Sequence, residues 1–173
     1  MKREFLGDSY DAVKRMWREI LADWAPLYAE PRFVPDALRH DFTRLTGIPI
    51  LADGFPDSYS ILNDPDTGIW LPDERNRTVN ALHVSTAFIA DQLRTNGPRC
   101  VITFDQSFHR SRNLTRERQR DVKMRQLAEE GFPSFYYESH ATFLFAAPDA
   151  GTLQAVRKLL IDAGIPRTRL NPQ

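Results

Sequence analysis

The chain has 173 residues, 42% of them hydrophobic and 27% charged, the balance of an ordinary globular domain rather than of a disordered or fibrous one. Lys plus Arg and Asp plus Glu both number 23, so the formal net charge is zero and indiscriminate binding to polyanions is disfavoured. A single cysteine, Cys100, excludes an internal disulfide and a cysteine zinc cluster, no apolar run approaches the roughly 18 residues of a membrane span, and Met1 to Phe5 lacks a signal-peptide pattern, so one cytoplasmic domain over residues 1–173 is expected.

Arg3 to Leu6 reads as a short strand broken at Gly7, after which Asp8 or Ser9 can cap a helix. In that helix Ala12, Val13, Met16, Trp17, Ile20, Leu21 and Trp24 recur on one face, and Pro26 ends it. Leu27 to Ala29 is a second short strand, closing on Glu30. Pro35 suits the first turn of a second helix in which Leu38, Phe42 and Leu45 repeat up to Gly47. Ile48 to Leu51 carries a proline and is expected as a strand only at an edge. Tyr59 to Asn63 is a strand running into Asp64-Pro65-Asp66-Thr67-Gly68, and the polar stretch from Leu71 to Asn80 reads as a loop.

Ser85 can cap a helix through Arg94 that buries Phe88, Ile89 and Leu93. Cys100 to Phe104 is apolar on both faces, as parallel strands covered by helices are, and it ends on Asp105. Thr115 to Glu130 is a long basic helix whose thin apolar line, chiefly Val122 and Leu127, places it on the outside. Phe135 to Tyr137 and Thr142 to Phe145 suit an antiparallel hairpin, and Asp149 caps a last helix through Leu153, Val156, Leu159 and Leu160. This alternation predicts a three-layer, Rossmann-like α/β fold: a mostly parallel sheet with helices on both faces and a C-terminal antiparallel hairpin.

Ligands in such sheets bind outside the carboxyl ends of the strands. Asp8, Asp64, Asp66 and Asp105 stand at those ends, and carboxylates gathered in one crevice repel unless a cation neutralises them. Oxygen ligands with few histidines favour Mg²⁺ or Mn²⁺, whose usual partner is a phosphate ester. His109 is placed to carry a proton, Arg110 to clamp a phosphate, and Lys14, one turn after Asp11, to bend back to the same crevice. His140 can face the same end of the sheet, whereas His40 and His83 have no partner in sequence. Residues 108–126 hold seven bases, among them Arg110, Arg112, Arg116, Arg118, Arg120, Lys123 and Arg125, against two acids, a stripe suited to a phosphate backbone or to a solvated helix face. Ser9, Ser107 and Ser139 lack a glycine-flanked elbow, and neither a Walker A loop nor a G-x-G-x-x-G turn occurs.

The order of elements resembles the class I methyltransferase superfamily, with Phe5-Leu6-Gly7-Asp8 at its first strand and turn, Glu30 at the end of its second strand, Asn63-Asp64-Pro65-Asp66 at its (D/N)-P-P-(Y/F) loop and Phe135 to Phe145 at its closing hairpin. That resemblance implies adenosylmethionine held by Gly7, Asp8 and Glu30, with Asp64 at a target amino group. Gly7 stands alone where a glycine-rich turn belongs, and Asp66-Thr67 replaces the proline and aromatic. Val101 to Phe108 is similar to the T-x-D-x-x-F segment of PIN-like nucleases, which implies that Asp8 and Asp105 bind metal; the acids those nucleases carry on an intervening helix are not evident.

The expected function is therefore a metal-dependent enzyme acting on a phosphate-bearing substrate, nucleic acid or nucleotide, with Asp64, Asp105 and His109 at the chemistry, Asp8, Asp64, Asp66 and Asp105 on the metal, and Arg110, Arg112, Arg116, Arg118, Arg120 and Lys14 on the substrate. The alternatives are an adenosylmethionine-dependent methyltransferase and a non-catalytic Rossmann-like module that binds through the basic helix and the Trp70 loop.

Overall fold

The protein is represented by a computed structural model that describes residues 3–52, 57–71, 83–95, 97–108 and 114–171. The strands are β1 (Leu27–Ala29), β2 (Ser60–Asn63), β3 (Gly68–Ile69), β4 (His83–Val84), β5 (Cys100–Phe104), β6 (Ser134–Tyr137), β7 (Phe143–Ala146) and β8 (Leu170–Asn171). The α-helices are α1 (Ser9–Leu21), α2 (Arg39–Thr46), α3 (Thr86–Thr95), α4 (Arg116–Glu129) and α5 (Ala150–Asp162).

Six strands form one sheet in the order β1-β2-β5-β7-β6-β8, and β3 pairs with β4 apart from it. β1, β2 and β5 run parallel, whereas β7 is antiparallel to both β5 and β6, and β8 is antiparallel to β6. The sheet is thus mixed, which corrects the expectation of a mostly parallel one. The chain leaves β5 through α4 and returns as β6 one strand-width too far out, and the hairpin then brings β7 back into the gap. Parallel strands need a crossover and a hairpin partner does not, so the filling strand is antiparallel.

Helices cover both faces. Alternate residues of every central strand point to one cluster or the other. Leu62, Ile102, Phe143 and Phe145 pack with Trp17 and Leu21 of α1, Phe42 of α2 and Leu153, Val156 and Leu160 of α5. Ile61, Val101, Leu144 and Tyr136 pack with Ile89 and Leu93 of α3 and Leu127 of α4. All five residues of β5 are buried, as its two-sided apolar sequence predicts.

Three local expectations change. Arg3–Phe5 is a 3-10 turn, not a strand. Ile48 to Leu51 makes only an isolated parallel bridge from Ile50 to Ala29, because Pro49 has no amide to extend a ladder. α4 does not lie on an apolar stripe; it buries Gln119, Lys123 and Leu127, four residues apart on one inward face. The loop expected at 71–80 falls, after Leu71, outside the described residues, as do His109, Arg110 and Arg112. Among the described residues no helix is long and apolar enough to cross a membrane.

Candidate functional site

At the carboxyl ends of β2 and β5 lies a cleft of about 300 Å³ lined by Phe5, Asp8, Tyr10, Asp11, Lys14, Asp64, Pro65, Asp66, Thr67, Phe104 and Gln106. Its back wall is the start of α1. Asp8 caps that helix, accepting from the amides of Tyr10 at 2.9 Å and Asp11 at 3.2 Å, and Gly7 reaches the turn at φ +84°. The Gly7 amide donates to Asp11 Oδ2 at 2.6 Å, which ties the entering loop to the first turn.

The floor is an ion cluster. Lys14 and Asp11 share one helix face, three residues apart, and Asp64 follows the last residue of β2. Lys14 Nζ donates to Asp11 Oδ1 at 2.9 Å and to Asp64 Oδ2 at 2.7 Å, with all three side chains nearly removed from solvent. The Phe42 and Phe104 rings lie 5.9 and 6.0 Å from the same ammonium. Burial alone would pull the Lys14 pKa down, but Asp64 and Asp11 outweigh it and hold it above its ordinary value, so the ammonium is a fixed charge. Burial pushes the Asp64 carboxyl up, and Lys14 offsets only part of that rise. Among the described residues, Asp64 Oδ1 has no hydrogen-bond partner.

Asp105 belongs elsewhere. In the register of β2 and β5, Asn63 sits opposite Thr103, so Asp64 is level with Phe104 and Asp105 lies one residue further. One residue reverses the face. Asp105 therefore meets α4: Lys123 Nζ donates to its Oδ2 at 2.7 Å and to Ser107 Oγ at 2.7 Å, and Tyr136 donates to Oδ2 at 2.8 Å. Burial and the neighbouring Asp105 charge push the Tyr136 phenol well above its ordinary value, which keeps it a neutral donor. Asp105 Oδ1 accepts from the Ile69 amide at 2.9 Å and so clamps the far end of the loop that carries Asp64 and Asp66. Gly68 is obligatory at this crossing: a Cβ there would stand 2.5 Å from Asp105 Oδ1 and 2.8 Å from the Gln106 amide, at φ +108°.

A third network lies on the Asp105 face. Gln92 of α3 donates to Glu30 at 2.9 Å and exchanges hydrogen bonds with Asn63, which also donates to Thr103. Glu30 also accepts from the Arg32 amide as cap of a 3-10 turn.

The structure thus brings Asp8, Asp64, Asp66 and Lys14 to one cleft and separates them from Asp105 and Glu30. Among the described residues no three His, Cys, Asp or Glu side chains are gathered to hold a metal ion. Asp64 already faces an ammonium, Asp8 is engaged in capping, and Asp105 is neutralised across the sheet, so the four-acid metal set does not assemble. The adenosylmethionine set does not assemble either: Gly7 and Glu30 do not line the cleft, and the residues placed at the first strand form a 3-10 turn. The basic stripe divides. Arg116, Arg118 and Arg125 are exposed, Lys123 is buried on Asp105, and Arg120 pairs with Glu138 at 2.9 Å while its guanidinium lies over the Tyr136 ring.

Sequence reasoning missed the aromatic walls and the role of Lys123. Its signal was the spacing Gln119, Lys123, Leu127, a helical period of mixed polarity that a search for apolar stripes passes over. His140 does reach this end of the sheet: its ring centroid is 5.7 Å from that of Tyr10, and Gln106 donates to its carbonyl.

Compared with known proteins, the chain matches no family model, no curated protein and no solved structure.

Proposed function

We propose that the cleft is the working site of a small-molecule enzyme, with Asp64 exchanging a proton with the ligand and Lys14 holding Asp64 in place as a fixed charge. The supporting observation is the state of Asp64: a buried carboxylate with one oxygen held by an ammonium and a pKa raised by desolvation, on the floor of a cleft of small-ligand size. Acid–base groups are tuned this way when they work near neutral pH. The test is a carboxyl-carbon NMR titration of Asp64, assigned with Asp64→Asn. A titration above the ordinary 3.8 is expected. A titration at or below that value would remove Asp64 from this role.

The metal-and-phosphate reading stands second. In its favour, Asp8, Asp64 and Asp66 line one cleft; against it, Lys14 already occupies the position where a cation would neutralise Asp64. It predicts a Mg²⁺- or Mn²⁺-dependent phosphodiesterase activity that a chelator abolishes and Asp66→Asn weakens. Lack of metal dependence in any activity found would dismiss it.

A further inference from the structure

The Lys14 ammonium serves two carboxylates that reach it from different elements. Asp11 lies three residues before it on α1 and Asp64 follows β2, fifty residues on; the ammonium stands 2.9 Å from Asp11 Oδ1 and 2.7 Å from Asp64 Oδ2. The Gly7 amide holds the second Asp11 oxygen at 2.6 Å, which keeps that carboxylate turned to the ammonium.

A one-to-one pair of Lys14 and Asp64 would be closed. An ammonium in contact with a single carboxylate favours its charged form and lowers its titration by about one to three pH units, so that it takes no proton near neutral pH. A second carboxylate on the same ammonium reverses part of that effect, because it repels its neighbour across a short, water-poor gap. Asp11 raises the proton affinity of Asp64 in this way, and the terminal amino group, which adds positive charge, opposes it more weakly. The other groups around the cluster are Asp8 and Asp66, which line the same cleft, and the uncharged rings of Phe42 from α2 and Phe104 from β5.

We infer that Asp11 is a positioning residue of the cleft: it shares the Lys14 ammonium with Asp64, so that Asp64 is held in place without being neutralised and stays able to take a proton from a ligand. This rests on the reading of Asp64 as the group that exchanges a proton, and deepens it. When a ligand gives a proton to Asp64, the bonding electron pair stays with the ligand, and Asp11 and Lys14 keep their own protonation. Asp11 acts through Lys14 and not on the ligand.

The experiment is a carboxyl-carbon NMR titration of the full chain, followed at Asp64 in wild type, Asp11→Asn and Asp8→Asn. Asp11→Asn keeps the shape and removes the charge, and the Asp64 midpoint is expected to fall by about one pH unit or more, the effect of a carboxylate a few ångströms away. Asp8→Asn removes an equal charge from the same cleft and keeps a good helix cap, but Asp8 caps α1 instead of meeting Lys14, so the midpoint is expected to move by less than about half as much. Should Asp11→Asn fail to fold, the wild-type curves decide: two carboxylates on one ammonium titrate as a pair, so the Asp11 and Asp64 carbons are each expected to show both steps. An Asp64 midpoint that stays or rises in Asp11→Asn, an equal fall in Asp8→Asn, or single independent steps at the two wild-type carbons would overturn the inference and leave the reading of Asp64 standing. A wild-type Asp64 midpoint at or below 3.8 overturns that reading, and the inference with it.

Discussion

Lys14 is a surface residue type used as a core residue. Its ammonium lies between Asp11 and Asp64, and removing it leaves two carboxylates buried against one another. Lys14→Met is therefore expected to cost about 3–5 kcal/mol by urea denaturation near neutral pH, the penalty of an uncompensated buried charge. Because the Lys14 pKa is raised in the folded protein, its stabilising contribution is complete below the ordinary 10.5 and is lost as pH climbs through the raised value. Wild type and Lys14→Met should accordingly keep a constant gap up to pH 10.5 and converge only above it; a gap that stays constant beyond that pH would show that the Lys14 charge contributes nothing. At this scale the sequence was partly legible. Asp8 as a cap and Asp64 at a strand end follow from local chemistry. The opposite facing of Asp64 and Asp105 does not, because it depends on one residue of register between two strands that nothing in either strand encodes.

The loop from Asp64 to Gly68 is held at both ends, by β2 and by the Asp105 clamp on Ile69. Gly68→Ala puts a methyl group into that crossing at a positive φ, so it should cost about 2–3 kcal/mol and shift the cleft resonances of Asp66 and Thr67 in an amide NMR spectrum. Unchanged stability would mean that the crossing relaxes. α4 is the other element with a testable burden. If the stripe holds nucleic acid, replacing the exposed Arg116, Arg118 and Arg125 with Gln should reduce the log–log salt slope of affinity by about 2–3. An unchanged slope would leave those arginines as a solvated face. Arg120 and Lys123 belong outside that test because Glu138 and Asp105 already hold them. Capped, amphipathic elements such as α1 and α5 were readable from their spacing and cap residues. The inward face of α4 was not, since polar side chains satisfied by buried partners look in sequence like solvent-facing ones. β8, two residues long, pairs only because tertiary structure brings it to β6.

Across the molecule the sheet sets the arrangement of its three polar networks. Both layers of helices and the terminal hairpin were legible from the alternation of elements, whereas the position of β7 between β5 and β6 was not: a hairpin fixes which strands are neighbours within it, not which of them docks on the sheet. That docking makes the sheet mixed and places the β6–β7 turn, with His140, beside Tyr10 at the cleft. The cleft on one face and the Asp105 cluster on the other are joined through the Gly68 crossing, so the ligand site is expected to sense damage on either side.

The most direct test is the carboxyl-carbon NMR titration of Asp64, assigned with Asp64→Asn and run beside a thermal melt with Mn²⁺ against a chelator control. A ligand at a hundred times its dissociation constant adds about 2.7 kcal/mol, on the order of 5–10 °C for a chain of this length. The account predicts that Asp64 titrates above the ordinary 3.8 and that Mn²⁺ leaves the melt where it is. A titration at or below that value, or a Mn²⁺ rise that both a chelator and Asp64→Asn remove, would contradict it.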